Sequence, residues 1–201
     1  MIGIIDYGMG NIFSLTGALD RLGAKYVFSD STEKLAGCDA LILPGVGAFS
    51  DAIANLKERQ LDLFLKDWAE KQKPLLGICL GMQLLFTESY EYGHSQGLDL
   101  IPGKVVEIPD IVKVPHMGWN RITRRHEHPY LRNMEEGYVY FVHSFYVETP
   151  EDYIIASTHY GVEIPAITGK GSVLGMQFHP EKSSATGKKL LEELLQNWRL
   201  I

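Results

Sequence analysis

Residues 75–86 read Leu75-Leu76-Gly77-Ile78-Cys79-Leu80-Gly81-Met82-Gln83-Leu84-Leu85-Phe86. The stretch begins as a short apolar run, the pattern of a strand buried on both faces. It then passes through Gly77-Ile78-Cys79-Leu80-Gly81 into a segment that reads as helix over 81–87. Gly-x-Cys-x-Gly between strand and helix is the nucleophile-elbow pattern with cysteine in the serine position. Such a turn forces its central residue into strained backbone geometry and pushes the side chain out at the end of the sheet. The flanking positions lie too close to neighbouring backbone for a Cβ, so glycine is needed at both. A helix that starts just after the cysteine aims its amides and the positive end of its dipole at the sulfur, which favours thiolate. The Leu80 amide is then placed to donate to a developing oxyanion.

Outward from this turn, the first half of the chain alternates short apolar strands with helical patterns. Strands are expected over 2–5, 26–28, 40–43 and 75–78. Asn11 caps a helix that carries Ile12, Leu15, Leu19 and Leu22 on one face and ends at Gly23. Ser31 opens a short helix, and Leu61, Phe64, Leu65 and Trp68 recur at helical spacing. This rhythm implies an α/β fold: a mostly parallel central sheet with helices on both faces. The second half changes character, with strands expected over 104–108, 112–114, 121–123, 138–142, 153–158, 162–168 and 173–178 between turn residues. These add mixed and antiparallel strands, and a helix presenting Leu190, Leu191, Leu194, Leu195 and Trp198 closes the chain. No linker, repeat or low-complexity stretch interrupts it, so residues 1–201 are expected to form a single domain.

Composition narrows the class of function. With 45% hydrophobic and 22% charged residues, the chain is an ordinary globular protein. A net charge of −6 and the lack of any basic stripe argue against nucleic acid as a partner. No apolar run reaches the roughly 20 residues of a membrane span. The start Met1–Asn11 has neither the basic flank nor the cleavage site of a signal peptide. Two cysteines are no disulfide framework, so a reduced, cytoplasmic setting is expected. Cys38, at the mouth of a strand, reads as a small packing residue.

A cysteine nucleophile needs a base. Of seven histidines, His179 stands out because it follows the apolar run 173–178 and precedes Pro180 and Glu181. In extended backbone, residues i and i+2 point the same way, so Glu181 can accept the second ring N–H of His179 and fix its tautomer. His126 and His128 flank Glu127 in a segment that reads as solvated loop; no third ligand stands at recognisable spacing, so no metal is expected. Pro44-Gly45-Val46-Gly47 follows a strand on the side where parallel sheets carry their crevice, and can supply a second oxyanion donor. Gly8-Met9-Gly10-Asn11 has Phe13 where a dinucleotide fingerprint needs its third glycine, so it reads as a tight turn and helix cap.

The elbow, the strand-end His179-Pro180-Glu181 and the Pro44–Gly47 loop together resemble the class I glutamine amidotransferases, over nearly the whole chain. Within that family, Pro44–Phe49, Val114–Asn120, Tyr140–Tyr146 and Gln177–Ser184 resemble the branch that serves histidine biosynthesis. The resemblance implies that Cys79 attacks the side-chain amide of L-glutamine. His179 then shuttles the proton to departing ammonia, Glu181 orients His179, and water hydrolyses the glutamyl thioester. It places the oxyanion on the amides of Val46 and Leu80. It gives glutamine-binding positions at Gly45, Gly47, Gln83, Ser144 and Phe145, the last two through backbone contacts, and gives the substrate's amino group to Glu91. No cofactor is implied.

The signature spans the chain and leaves no stretch for a synthase domain, so the ammonia acceptor is expected on another chain. By resemblance that chain is a (β/α)8-barrel cyclase subunit, with Asn11, Trp119 and Lys182 near the interface. Related loops often carry a second glycine where this chain has Val46. The stiffer β-branched residue is expected to hold the oxyanion amide away until the partner docks. An amidotransferase serving another synthase, of anthranilate or aminodeoxychorismate type, would have a glycine-richer loop. A silent module with the same fold would not need Cys79, His179 and Glu181.

Overall fold

The computed structural model describes residues 1–201. The chain runs β1 (Ile2–Ile5), α1 (Ile12–Arg21), β2 (Tyr26–Ser29), α2 (Thr32–Ala36), β3 (Ala40–Leu43), α3 (Phe49–Glu58), α4 (Leu61–Glu70), β4 (Leu75–Ile78) and α5 (Leu80–Gln83). It continues through β5 (Phe86–Ser89), β6 (Ser95–Gln96), β7 (Ile101–Glu107), β8 (His116–Arg124), β9 (Gly137–His143), β10 (Phe145–Glu148), β11 (Ile154–Tyr160), β12 (Val162–Lys170) and β13 (Val173–Met176) to α6 (Ser184–Asn197). One sheet has the order β2-β1-β3-β4-β13-β12-β11-β8-β9. Its first five strands pair in parallel and the remaining pairings are antiparallel. A second sheet, β10-β7-β5-β6, stands apart.

Of the parallel strands, β1, β3, β4 and β13 are fully buried, while the edge strand β2 is partly exposed, and the alternate side chains of the buried four feed two cores. Ile2, Ile4, Ile42, Leu76, Leu174 and Met176 pack on Leu15 and Leu19 of α1 and on Leu190, Leu191, Leu194 and Leu195 of α6. Ile5, Leu41, Leu43 and Leu75 pack on α3, α4 and the second sheet. Each leucine so buried contributes about 1.5–3 kcal/mol, which sets both helix layers firmly against the sheet. Asn11 caps α1 by accepting the Ser14 N–H, and Ser31 does the same for α2 with Lys34.

Several elements differ from the sequence reading. Helix α3 was not foreseen, although Phe49, Ala52, Ile53 and Leu56 lie on one buried face. The helix expected over 81–87 stops at Gln83. Leu84-Leu85-Phe86 is apolar with no clear period, and Phe86 instead pairs with Ile101 in β5. Residues 112–114 form no strand; Val112 and Val114 pack as loop residues on Ile108, Tyr146 and Ile164. His128 is buried rather than solvated. Between β9 and β10 the chain crosses from one sheet to the other at Ser144.

Candidate active site

The elbow forms as its glycines require. Cys79 has φ 55° and ψ −112°, a positive φ that costs a residue with a side chain about 1–3 kcal/mol. A Cβ on Gly77 would come within 2.5 Å of the Gly81 carbonyl oxygen, and one on Gly81 within 1.8 Å of the Leu43 oxygen. The turn is held from below by Cys79 N–H donating to the Met176 carbonyl at 2.8 Å. Leu80 opens α5, so its N–H has no acceptor inside the helix.

His179 Nδ1 lies 2.8 Å from Glu181 Oε1, and both side chains are almost wholly buried. The geometry is not the extended i, i+2 arrangement expected. Residues Pro180–Lys182 make a 3-10 turn, with His179 extended just before it, and the turn curls the carboxylate back onto the ring. With Nδ1 engaged, Nε2 is the nitrogen left to hydrogen-bond Cys79. Burial pushes the His179 pKa down, but hydrogen bonds to Cys79 and Glu181 and their charges outweigh it and raise it to about 9. The backbone is pinned as well. His179 N–H donates to the Tyr140 carbonyl, and Ser183 Oγ donates to the His179 carbonyl while accepting the Tyr140 N–H.

A pocket of about 320 Å3 opens beside the sulfur. It gathers Val46, Gly47, Cys79, Leu80, Gln83, Glu91, Ser144, Phe145 and His179, all singled out from sequence. Gly45 is not among them. It lines a small crevice on the other side of His179, with Asn11, Pro44 and Glu181. A Cβ on Gly45 would meet Gly81 N and the Tyr7 hydroxyl, both at 2.7 Å, so this glycine seats the loop against the elbow. Val46 lies outside every helix and strand, and no backbone carbonyl accepts its N–H. Glu91 is buried, and its Oε2 accepts the Phe49 N–H at 2.8 Å at the start of α3. Burial pushes its carboxyl above the usual range, against the pull of that N–H. Of the three expected interface residues, Trp119 and Lys182 are exposed and Asn11 is half-buried.

The family model for Glutamine amidotransferase class-I matches residues 3–198. The chain belongs to the class I glutamine amidotransferases. This amidotransferase is 53% identical over 199 residues to imidazole glycerol phosphate synthase subunit HisH of Halalkalibacterium halodurans, across 95% of this chain and 93% of that one. It is 50% identical over 200 residues to the subunit of the same name from Bacillus subtilis, across 96% and 94%. Among solved structures, a glutamine amidotransferase matches with a TM-score of 0.78 at 20% identity, over 98% of both chains. PurLQS from Thermotoga maritima matches at 0.76 and 20%, over 97% of both. At such identity these structures speak to the fold.

The site of this amidotransferase also holds residues that sequence reasoning missed. Tyr7, fully buried in the turn just after β1, donates from its hydroxyl to the Pro44 carbonyl at 2.7 Å and so holds the Pro44–Gly47 loop. Burial, and then the charge of Cys79, push its phenol far up. Tyr92 and Val142 line the pocket, and so does His143. His143 Nδ1–H donates to the Phe145 carbonyl at 2.8 Å, which leaves its Nε2 to accept from His116 Nδ1 at 3.0 Å. Burial lowers both pKa values, to about 4 for His116 and about 3 for His143, so the pair is neutral with fixed tautomers. His116, Val142 and His143 fall within the stretches 114–120 and 140–146 quoted from sequence, but no local rule gives them a role, because the pairing of His116 with His143 spans 27 positions.

The raised pKa of His179 gives a direct test of the pairing. The ring should stay protonated through neutral pH and titrate near pH 9. In Cys79→Ala the midpoint should fall by about one unit or more, because one hydrogen bond and one charge are lost while burial remains. NMR of the imidazole across a pH series measures this, and an unmoved midpoint would show that sulfur and ring are uncoupled.

Proposed function

We propose that this amidotransferase is the glutaminase subunit of imidazole glycerol phosphate synthase, releasing ammonia from L-glutamine for a cyclase subunit in histidine biosynthesis. The observation that carries the reading is the strained Cys79 facing a His179–Glu181 pair at the wall of a pocket of amino-acid size. The Cys79 sulfur attacks the side-chain amide carbon, and the carbonyl oxygen takes the negative charge onto the amides of Leu80 and Val46. Protonated His179 gives its proton to the departing nitrogen, which leaves as ammonia and breaks the C–N bond. The glutamyl thioester remains on Cys79. His179 then takes a proton from water, the hydroxide displaces the sulfur, and glutamate leaves. Glu181 keeps the ring oriented through both steps. Gly47, Gln83, Glu91 and the Ser144–Phe145 peptide hold the substrate's far end. A glutamine-mimicking electrophile tests the chemistry: it should label Cys79 and be blocked by glutamine, whereas a silent module of the same fold would not react.

Exposed apolar residues support a docked partner. Phe13 is 90% exposed, and Met117, Trp119 and Tyr138 are exposed on the β8–β9 hairpin. Asn11 and Lys182 belong to the same expected contact face, against a cyclase of (β/α)8-barrel form. No helix is long and apolar enough to cross a membrane, and two free cysteines fit a reducing cytoplasm.

Val46 sets the expected regulation. Its N–H has to turn toward the substrate carbonyl, and a β-branched residue moves between backbone states less readily than glycine. Glutaminase turnover should therefore be low in the isolated chain and rise about tenfold or more in the complex, within the range of ordinary allosteric coupling. Equal ammonia release with and without the cyclase would sink this reading of the loop.

A further inference from the structure

Gln177 lies two residues before His179, is fully buried, and has no part in the chemistry described so far. Its carboxamide sits between two groups of the site. Oε1 accepts from Gln83 Nε2 at 3.1 Å, and Nε2 lies 4.0 Å from Cys79 Sγ, within reach of a sulfur hydrogen bond. The orientation is forced. Gln83 Nε2 also donates to the Phe145 carbonyl at 2.9 Å, and a carbonyl oxygen can only accept. Gln83 therefore cannot be turned around, and both of its N–H groups are used. Gln177 must present oxygen to Gln83, which leaves its N–H for the sulfur. The Phe145 carbonyl is fixed in turn by His143 Nδ1–H, and His143 by His116, whose ring stacks between Phe141 and Tyr160.

We propose that Gln177 is a further catalytic residue of the nucleophile site, donating its carboxamide N–H to the Cys79 thiolate and held that way round by the buried chain through Gln83, Phe145, His143 and His116. The sulfur has two neighbours at the same distance, the Val142 carbonyl and Gln177 Nε2, each at 4.0 Å. A thiol can donate its proton to the carbonyl, whereas a thiolate has nothing to offer it. Gln177 favours the charged form, because a thiol sulfur is only a weak acceptor and a hydrogen bond to a charged group is the stronger kind. His179 is the sulfur's charged partner, so the thiolate has two donors, one permanent and one that leaves with a proton during turnover. The same chain leaves Gln83 Oε1 as its free pocket-facing group, an acceptor for an N–H of the bound substrate.

The proposal rests on Cys79 being the nucleophile, and one experiment separates the two ideas. The rate of Cys79 alkylation by iodoacetamide is followed against pH by mass spectrometry, in the full chain and in Gln177→Met and Gln177→Glu. Met keeps the length and removes the donor; Glu keeps the shape and replaces the donor with an acceptor. The thiolate inflection should rise by about one pH unit in Gln177→Met, a roughly tenfold loss of thiolate near neutral pH, and by more in Gln177→Glu. In the complex with the cyclase, kcat for glutamine hydrolysis should fall about tenfold in Gln177→Met, with a smaller change in KM. A wild-type inflection and wild-type kcat in either folded variant would overturn the proposal. A wild-type Cys79 that does not react at all would instead overturn the assignment of the nucleophile.

Discussion

Cys79→Ala is expected to abolish glutamine-dependent synthesis by the complex while leaving synthesis from added ammonia intact. Loss of a covalent nucleophile removes the thioester path outright, and a drop of roughly ten-thousand-fold or more is the usual scale. The second cysteine cannot stand in. Cys38 is buried against Gly3 and Leu41 on the other face of the sheet, and burial pushes its thiol up. The fold should tolerate the change, because alanine takes up the Cys79 backbone with the same Cβ. Two assays on one preparation decide the matter, one fed glutamine and one fed an ammonium salt at alkaline pH. Equal loss in both would mean that the variant had damaged docking or the partner rather than ammonia release.

Gly81→Ala carries the largest structural penalty expected of a single methyl group here. The new Cβ would lie 1.8 Å from the Leu43 carbonyl oxygen and 2.8 Å from its carbon, both rigid backbone of a central buried strand. Neither the strand nor the elbow can yield without moving Cys79. A penalty of about 3 kcal/mol or more follows from overpacking against backbone, a fall in Tm of roughly 6–12 °C for a chain of this size. Ala at Gly17 in α1, where an added Cβ would make only an ordinary contact with Arg21 Nη1 at 3.5 Å and the φ is not positive, is the control. If Gly81→Ala melts and turns over like the wild type, the elbow is looser than its geometry states.

The parts legible in the sequence were those governed by local rules. Strands 2–5, 40–43 and 75–78 stand where the apolar runs placed them, because short runs between glycine or proline have few other uses. Cys79 was legible because its turn needs glycine at 77 and 81, and His179 because a proline and a glutamate follow it. The 3-10 turn that joins His179 to Glu181 was not, since the peptide that anchors it on both sides, Tyr140, comes from the distant strand β9. Tyr7 reaches across 37 positions to Pro44, and Gln177 across 94 to Gln83. Pairings of that kind exist only once the sheet is built. The run Leu84–Phe86 was misread for a related reason: an apolar triplet takes whichever form its distant partner offers, and here that partner was β7.

Strand β9 ends the large sheet, and an unpaired sheet edge is a ready template for a second copy of the chain. Here the outward-facing backbone groups of Tyr140 are already taken, its carbonyl by His179 N–H and its N–H by Ser183. The loop that carries His179 thus also occupies this edge at Tyr140. Closure of the edge at Tyr140 and the anchoring of the His179 backbone therefore rest on the same pair of hydrogen bonds.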